Sequence, residues 1–80
     1  MIHRIKCDKE FFRAVQSGIK TFELRYNDRG YQAGDVLELE ETENGHMHLG
    51  RKIEVNVTYV LNGFGLKENF VALAITLIER

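Results

Sequence analysis

Lys20, Glu23 and Arg25 are the side chains best placed by type and spacing to do chemistry, within the stretch Gly18-Ile19-Lys20-Thr21-Phe22-Glu23-Leu24-Arg25. A lysine ammonium is a mobile point charge that can meet a phosphate or a carbonyl oxygen. An arginine guanidinium offers a planar fork of donors to a phosphate or a base edge. A glutamate between them can accept from an exocyclic amine or hold either cation in position. Phe22, Leu24 and Tyr26 alternate with Glu23 and Arg25, the period-two pattern of a half-buried strand with its charged residues on the face away from the core. Simple alternation puts Lys20 opposite Glu23 and Arg25, so it joins them only from a loop after Gly18. The pattern leaves two readings open, a polar pocket and an ordinary solvated sheet face.

The elements that must position this trio are legible around it. Ile2 to Lys6 alternates and predicts a short first strand. Asp8 follows as a helix N-cap, its carboxylate set to accept from the first-turn N–H groups, with Glu10 at the positive end of the dipole. Phe11, Phe12, Val15 and Ile19 mark one stripe of a helix of about three turns that must bury both phenylalanines on a sheet. Gly18 is the C′ residue that ends it. After the Lys20–Tyr26 strand come a turn at Asn27-Asp28-Arg29-Gly30 and a strand from Val36, with Leu37 and Leu39 on the core side. Asn44-Gly45 is a hairpin signal. Ile53, Val55, Val57, Tyr59 and Leu61 share a core face, Asn62-Gly63-Phe64-Gly65 is a loop, and Phe70 to Ile78 is apolar on both faces, as a central strand covered on two sides.

Eighty residues make one domain, residues 1–80, with a single modest core. The reading is mainly β with one helix, an α+β fold whose five or six strands form a small curved sheet or barrel. A chain 44% hydrophobic and 29% charged is globular, and no apolar run approaches the length of a membrane span. One cysteine, Cys7, cannot form an internal disulfide, and the N-terminus is too polar for a secretory signal. The cytoplasm is the expected compartment. A net charge of −1 conceals +3 over residues 1–30, −5 over residues 31–50 and +1 over residues 51–80. That balance excludes a strong sequence-blind nucleic-acid binder but leaves a local basic surface for a phosphate or nucleotide.

Gly18, Lys20, Glu23 and Arg25 form a Gly-x-Lys-x-x-Glu-x-Arg pattern that resembles the signature of the ASCH domain, the activating-signal-cointegrator homology domain. The likeness continues through Gly34-Asp35, Val57-Thr58-Tyr59-Val60 and Phe70-Val71-Ala72-Leu73-Ala74-Ile75, over nearly the whole chain, and is nearest to small stand-alone bacterial and phage members. It implies a PUA-like β-barrel with a helix beside it and a cleft lined by the motif residues. It also implies RNA or a nucleotide-like ligand as partner, bound at Gly18, Lys20, Glu23 and Arg25. No cofactor is expected.

Other chemistries are weighed against that reading. Some small ASCH-like proteins that resemble this one are amidohydrolases of cytidine acetylated at its exocyclic amine, with a Thr nucleophile three residues after the Lys. Glu23 occupies that position here, and a carboxylate cannot replace a hydroxyl in the same acyl transfer. Binding is therefore preferred to catalysis, and no residue is assigned a catalytic role. His46 and His48 can share a strand face, but with Glu43 as the sole nearby carboxylate no metal site is expected. Cys7 reads as a small hydrophobe. Tyr26, Tyr31, Tyr59 and Phe64 are candidates for stacking on bases. Tyr59 is expected in the core and Phe64, between two glycines, is the better exposed platform. A protein-interaction module, dimeric through a sheet edge, is the third class.

Overall fold

Period-two alternation is realised in five strands, and a single short helix interrupts them. The computed structural model describes residues 1–79. In chain order the elements are β1 (Ile2–Asp8), α1 (Lys9–Gln16), β2 (Phe22–Tyr26), β3 (Val36–Glu43), β4 (Met47–Asn62) and β5 (Phe70–Leu77). They form one sheet in the order β1-β3-β4-β5-β2. β1 runs parallel to β3, and every other pair is antiparallel. A parallel neighbour needs a crossover, which α1 and β2 supply between β1 and β3. Asn44 and Gly45 close the β3–β4 hairpin with φ of 53° and 72°, the left-handed pair that a type I′ turn demands.

The two edge strands turn toward each other. Arg25 on β2 donates from Nη2 to the Lys6 carbonyl oxygen on β1 at 2.6 Å, so the five-stranded sheet is curled into a half-barrel whose seam lies between β1 and β2. Ile5, Leu37, Leu39, Val55, Val57, Val71, Leu73 and Ile75 fill its concave face, and Phe12 and Val15 of α1 enter the same core. Among the described residues no helix is long and apolar enough to cross a membrane.

Several expectations are corrected. β2 faces the opposite way: its register sets Glu23 beside Leu73 and Arg25 beside Val71, both core positions of β5. Glu23 is buried, while Phe22, Leu24 and Tyr26 are 49, 55 and 53% exposed on the outer face. Alternation says which side chains share a face, not which face is inside. β5 is internal to the sheet, but its outer face is only half covered, with Tyr26 resting edge-on against Phe70 at 5.6 Å. The helix has eight residues rather than three full turns, and Ile19 falls beyond it. It buries Phe12 and Val15 but leaves Phe11 exposed. Asp8 does sit at the N-cap, yet its carboxylate caps nothing and accepts instead from Gly45 N–H at 3.4 Å. Tyr59 is exposed because pairing jumps from Val57–Ile75 to Tyr59–Ala74, and the extra residue, Thr58, reverses the faces of β4. Val60 turns inward after that bulge and Leu61 does not.

Candidate functional site

Gly18 starts the construction of the site. Its φ of 83° lets the chain reverse after α1. Ile19 and Lys20 N–H then both donate to the Ala14 carbonyl at 3.0 Å, which pins the reversal. Lys20 therefore precedes the regular part of β2, and Thr21 joins the ladder by accepting from Ile75 N–H at 3.0 Å. Freed from strand alternation, the Lys20 side chain swings to the inner side and meets Glu23.

The trio converges. Lys20 Nζ donates to Glu23 Oε1 at 2.7 Å and to the Phe22 carbonyl at 2.6 Å. Arg25 Nε donates to Glu23 Oε2 at 3.1 Å, and Nη2 lies 3.1 Å from the same oxygen. A carboxylate with a side-chain exposure of 5% thus has one cation on each oxygen, as a buried charge requires. The Lys20 ammonium also sits 5.4 Å from the Phe11 ring centroid and 4.8 Å from that of Phe22, within cation–π range of both.

These residues line a cleft of about 370 Å³ at the β1–β2 seam. Lys6, Cys7 and Asp8 form the β1 wall, Phe11 the helix side, and Lys20 with Phe22, Glu23, Leu24 and Arg25 of β2 most of the opposite wall. Volume and lining are within the range of small-molecule pockets, with apolar walls and a few convergent polar groups. Burial, with the Glu23 charge next in effect, pushes the Cys7 thiol up to about 11, so it stays protonated and unreactive near neutral pH.

Other sequence candidates lie elsewhere. Gly18 shapes the approach but does not line the cleft. Phe64 is 92% exposed in the β4–β5 loop, with φ of 52°, and lines none of the seam. Tyr31 is buried edge-on against His3 at 4.9 Å, so it offers no open stacking face. Thr21 is exposed and outside the cleft. His48 Nδ1 lies 3.2 Å from Glu40, and Glu43 is taken by Lys9 at 2.9 Å. Among the described residues no group of three or more His, Cys, Asp or Glu is placed to hold a metal ion.

Two buried clusters had no signal in the sequence. Glu41 accepts from Arg51 Nε and Nη2, each at 2.9 Å, and from Arg13 Nε at 3.3 Å. Arg51 reaches on to Gln16 at 3.2 Å. His3 and Asp35 meet at 2.8 Å, and Gln32 N–H also donates to Asp35 at 3.0 Å. The members of each cluster come from distant parts of the chain, so no short motif marks them.

Comparison with known proteins places the chain. It is 38% identical over 72 residues to an Escherichia phage P2 protein described as "Uncharacterized 12.9 kDa protein in GpA 3'region". The match covers 90% of this chain and 65% of the phage protein, so the chain spans slightly under two thirds of that relative's length. The model of the family "Domain of unknown function (DUF3850)" matches residues 2–75, from the start of β1 well into β5. The chain belongs to the DUF3850 family.

Proposed function

We propose that this domain is a PUA-like, ASCH-type module that binds RNA or a nucleotide-like ligand in the cleft at the β1–β2 seam. One observation carries the reading: Lys20, Glu23 and Arg25 converge on the wall of a 370 Å³ cleft between two strand edges, with Phe11 and Phe22 at its rim. Exposed aromatic rings provide faces on which a base can stack. Glu23 Oε1 is engaged by Lys20 alone and keeps a lone pair for a base amine. Arg25 spends Nε and Nη2 on Glu23 and the Lys6 carbonyl, and its other N–H groups remain available. The mainly β half-barrel, the helix after its first strand and the motif on a cleft-lining strand all favour this assignment. We assign it to the cytoplasm, where the free thiol of Cys7 is at home.

Binding is favoured over hydrolysis because, among the described residues, no activated nucleophile lines the cleft. Thr21 points elsewhere and Cys7 holds its proton. Fluorescence anisotropy with short labelled single-stranded RNA, competed by free nucleotides, tests the reading. Lys20→Ala and Arg25→Ala are each expected to weaken binding about tenfold, the scale of a lost charge-assisted hydrogen bond. Affinity unchanged in both variants contradicts the proposal.

A further inference from the structure

Across the Arg25 bridge lies a second cavity, of about 380 Å³, that shares Lys6 and Arg25 with the first. The bridge from Arg25 to the Lys6 carbonyl is thus a ridge between two adjoining compartments. We propose that the second compartment is a phosphate site, so that the ligand is a phosphorylated nucleoside with its base in the first cleft and its phosphate on Lys6, Arg29 and the free edge of Arg25. This rests on the first cleft being the base site.

The two compartments differ in where their charge is committed. In the first, Lys20 and Arg25 are engaged by Glu23, and the rim is apolar, from Phe11, Phe22 and Leu24. A dianion entering there must compete with a buried carboxylate already 2.7 Å from Lys20. The second compartment brings Arg4, Lys6, Arg25 and Arg29 to one hollow. Arg4 is drawn to Glu38 at 3.6 Å. Among the described residues, no hydrogen bond or ion pair holds the Lys6 ammonium or the Arg29 guanidinium. Asp28 and Glu40 also line this hollow. Four cations against two carboxylates give the second compartment a larger positive excess than the three against two of the first. An apolar, base-sized cleft sharing a wall with a cationic one suits a flat ring joined by a short linker to an anion, which is the plan of a nucleoside phosphate. A free nucleotide and the sugar–phosphate of a single strand share this chemistry.

Calorimetry on the full chain at low salt tests the assignment with adenosine, adenosine 5′-monophosphate, a tetra-adenylate and inorganic phosphate. The monophosphate is expected to bind about tenfold more tightly than adenosine, the scale of one or two charge-assisted contacts. Arg29→Ala, which removes a cation that lines the second compartment and not the first, is expected to abolish most of that difference while leaving adenosine affinity within about twofold. Lys67→Ala, which removes a cation from a cavity that shares no lining residue with either compartment, changes neither. Arg29→Gln repeats the test if the alanine variant melts early. A tetra-adenylate that binds more tightly than the monophosphate identifies an RNA strand as the source of the phosphate, and one that binds more weakly identifies a free nucleotide. Either result supports the site when the Arg29 variant abolishes most of the increment. Equal binding of adenosine and its monophosphate by the unsubstituted chain overturns the phosphate site and leaves the base site standing. No binding of either, or of the tetra-adenylate, removes the base site itself.

Discussion

Glu23 and Glu41 are two buried carboxylates, each clamped by two cations, and they sit in opposite settings. The Glu41 cations, Arg13 and Arg51, have side chains 59 and 47% exposed and lie over the carboxylate like a lid. Those at Glu23, Lys20 and Arg25, are only 15 and 26% exposed and form the wall of an open cleft. Glu41 ties together α1, β3 and β4, whereas the Glu23 partners stand two and three residues away in sequence. An ion pair spanning the fold holds elements together. One confined to a strand and its approach presents charge to whatever enters. A carboxylate clamped by two cations is thus a pin in one place and a candidate site in the other.

The largest effect that can break this contrast is on stability. Glu41→Ala is expected to lower the melting temperature by roughly 10 °C, since it removes a buried ion-pair hub from a small domain. Glu23→Gln is expected to lower it by less than half as much, because its cations border a cleft that water can refill. Thermal unfolding by circular dichroism compares them, and equal losses would erase the distinction. Next comes affinity: Lys20→Ala and Arg25→Ala weaken nucleotide binding about tenfold, while Arg13→Ala changes it by less than about twofold.

A third difference lies in acid. The Arg51 hydrogen bonds hold the Glu41 carboxyl below its ordinary value of 4.5, against the opposing effect of burial. A lowered folded-state value gives stability that is fully present above that ordinary value and is lost as pH falls through the lowered one. Melting temperature measured from pH 6 to pH 2 should therefore fall less steeply below pH 4.5 in Glu41→Gln than in the unsubstituted chain. An unchanged acid limb would remove Glu41 from the account of acid stability. The smallest effect is at Cys7, whose thiol is raised to about 11 by burial and then by Glu23. Alkylation by iodoacetamide at pH 8 should be slow. It should quicken several-fold in Glu23→Gln, and bound nucleotide should suppress it. Indifference to both would separate Cys7 from the cleft.

Sequence reasoning reached the Glu23 cluster because its members are neighbours. It placed Lys20 correctly on condition that a loop follows Gly18, which Gly18 provides by its left-handed backbone. The inside of β2 was not legible, because alternation is symmetric between faces and only the register against β5 breaks the symmetry. Tyr59 was misread because a one-residue bulge at Thr58 leaves no mark in an apolar–polar pattern. Phe11 and Phe12 are adjacent apolar residues, and which of them enters the core depends on how α1 lies against the sheet. The Glu41 hub joins positions 13, 41 and 51, and the second compartment joins β1 to the turn after β2. Both arise only once the sheet has curled.

The most direct measurement is an amide chemical-shift titration of the isotopically labelled chain with adenosine 5′-monophosphate. The account predicts that shifts concentrate on residues 6–8, 20–25 and 29, with Arg13, Glu41 and Arg51 unmoved. Shifts centred on the Glu41 cluster or on the Phe64 loop, with the β1–β2 seam silent, would contradict it.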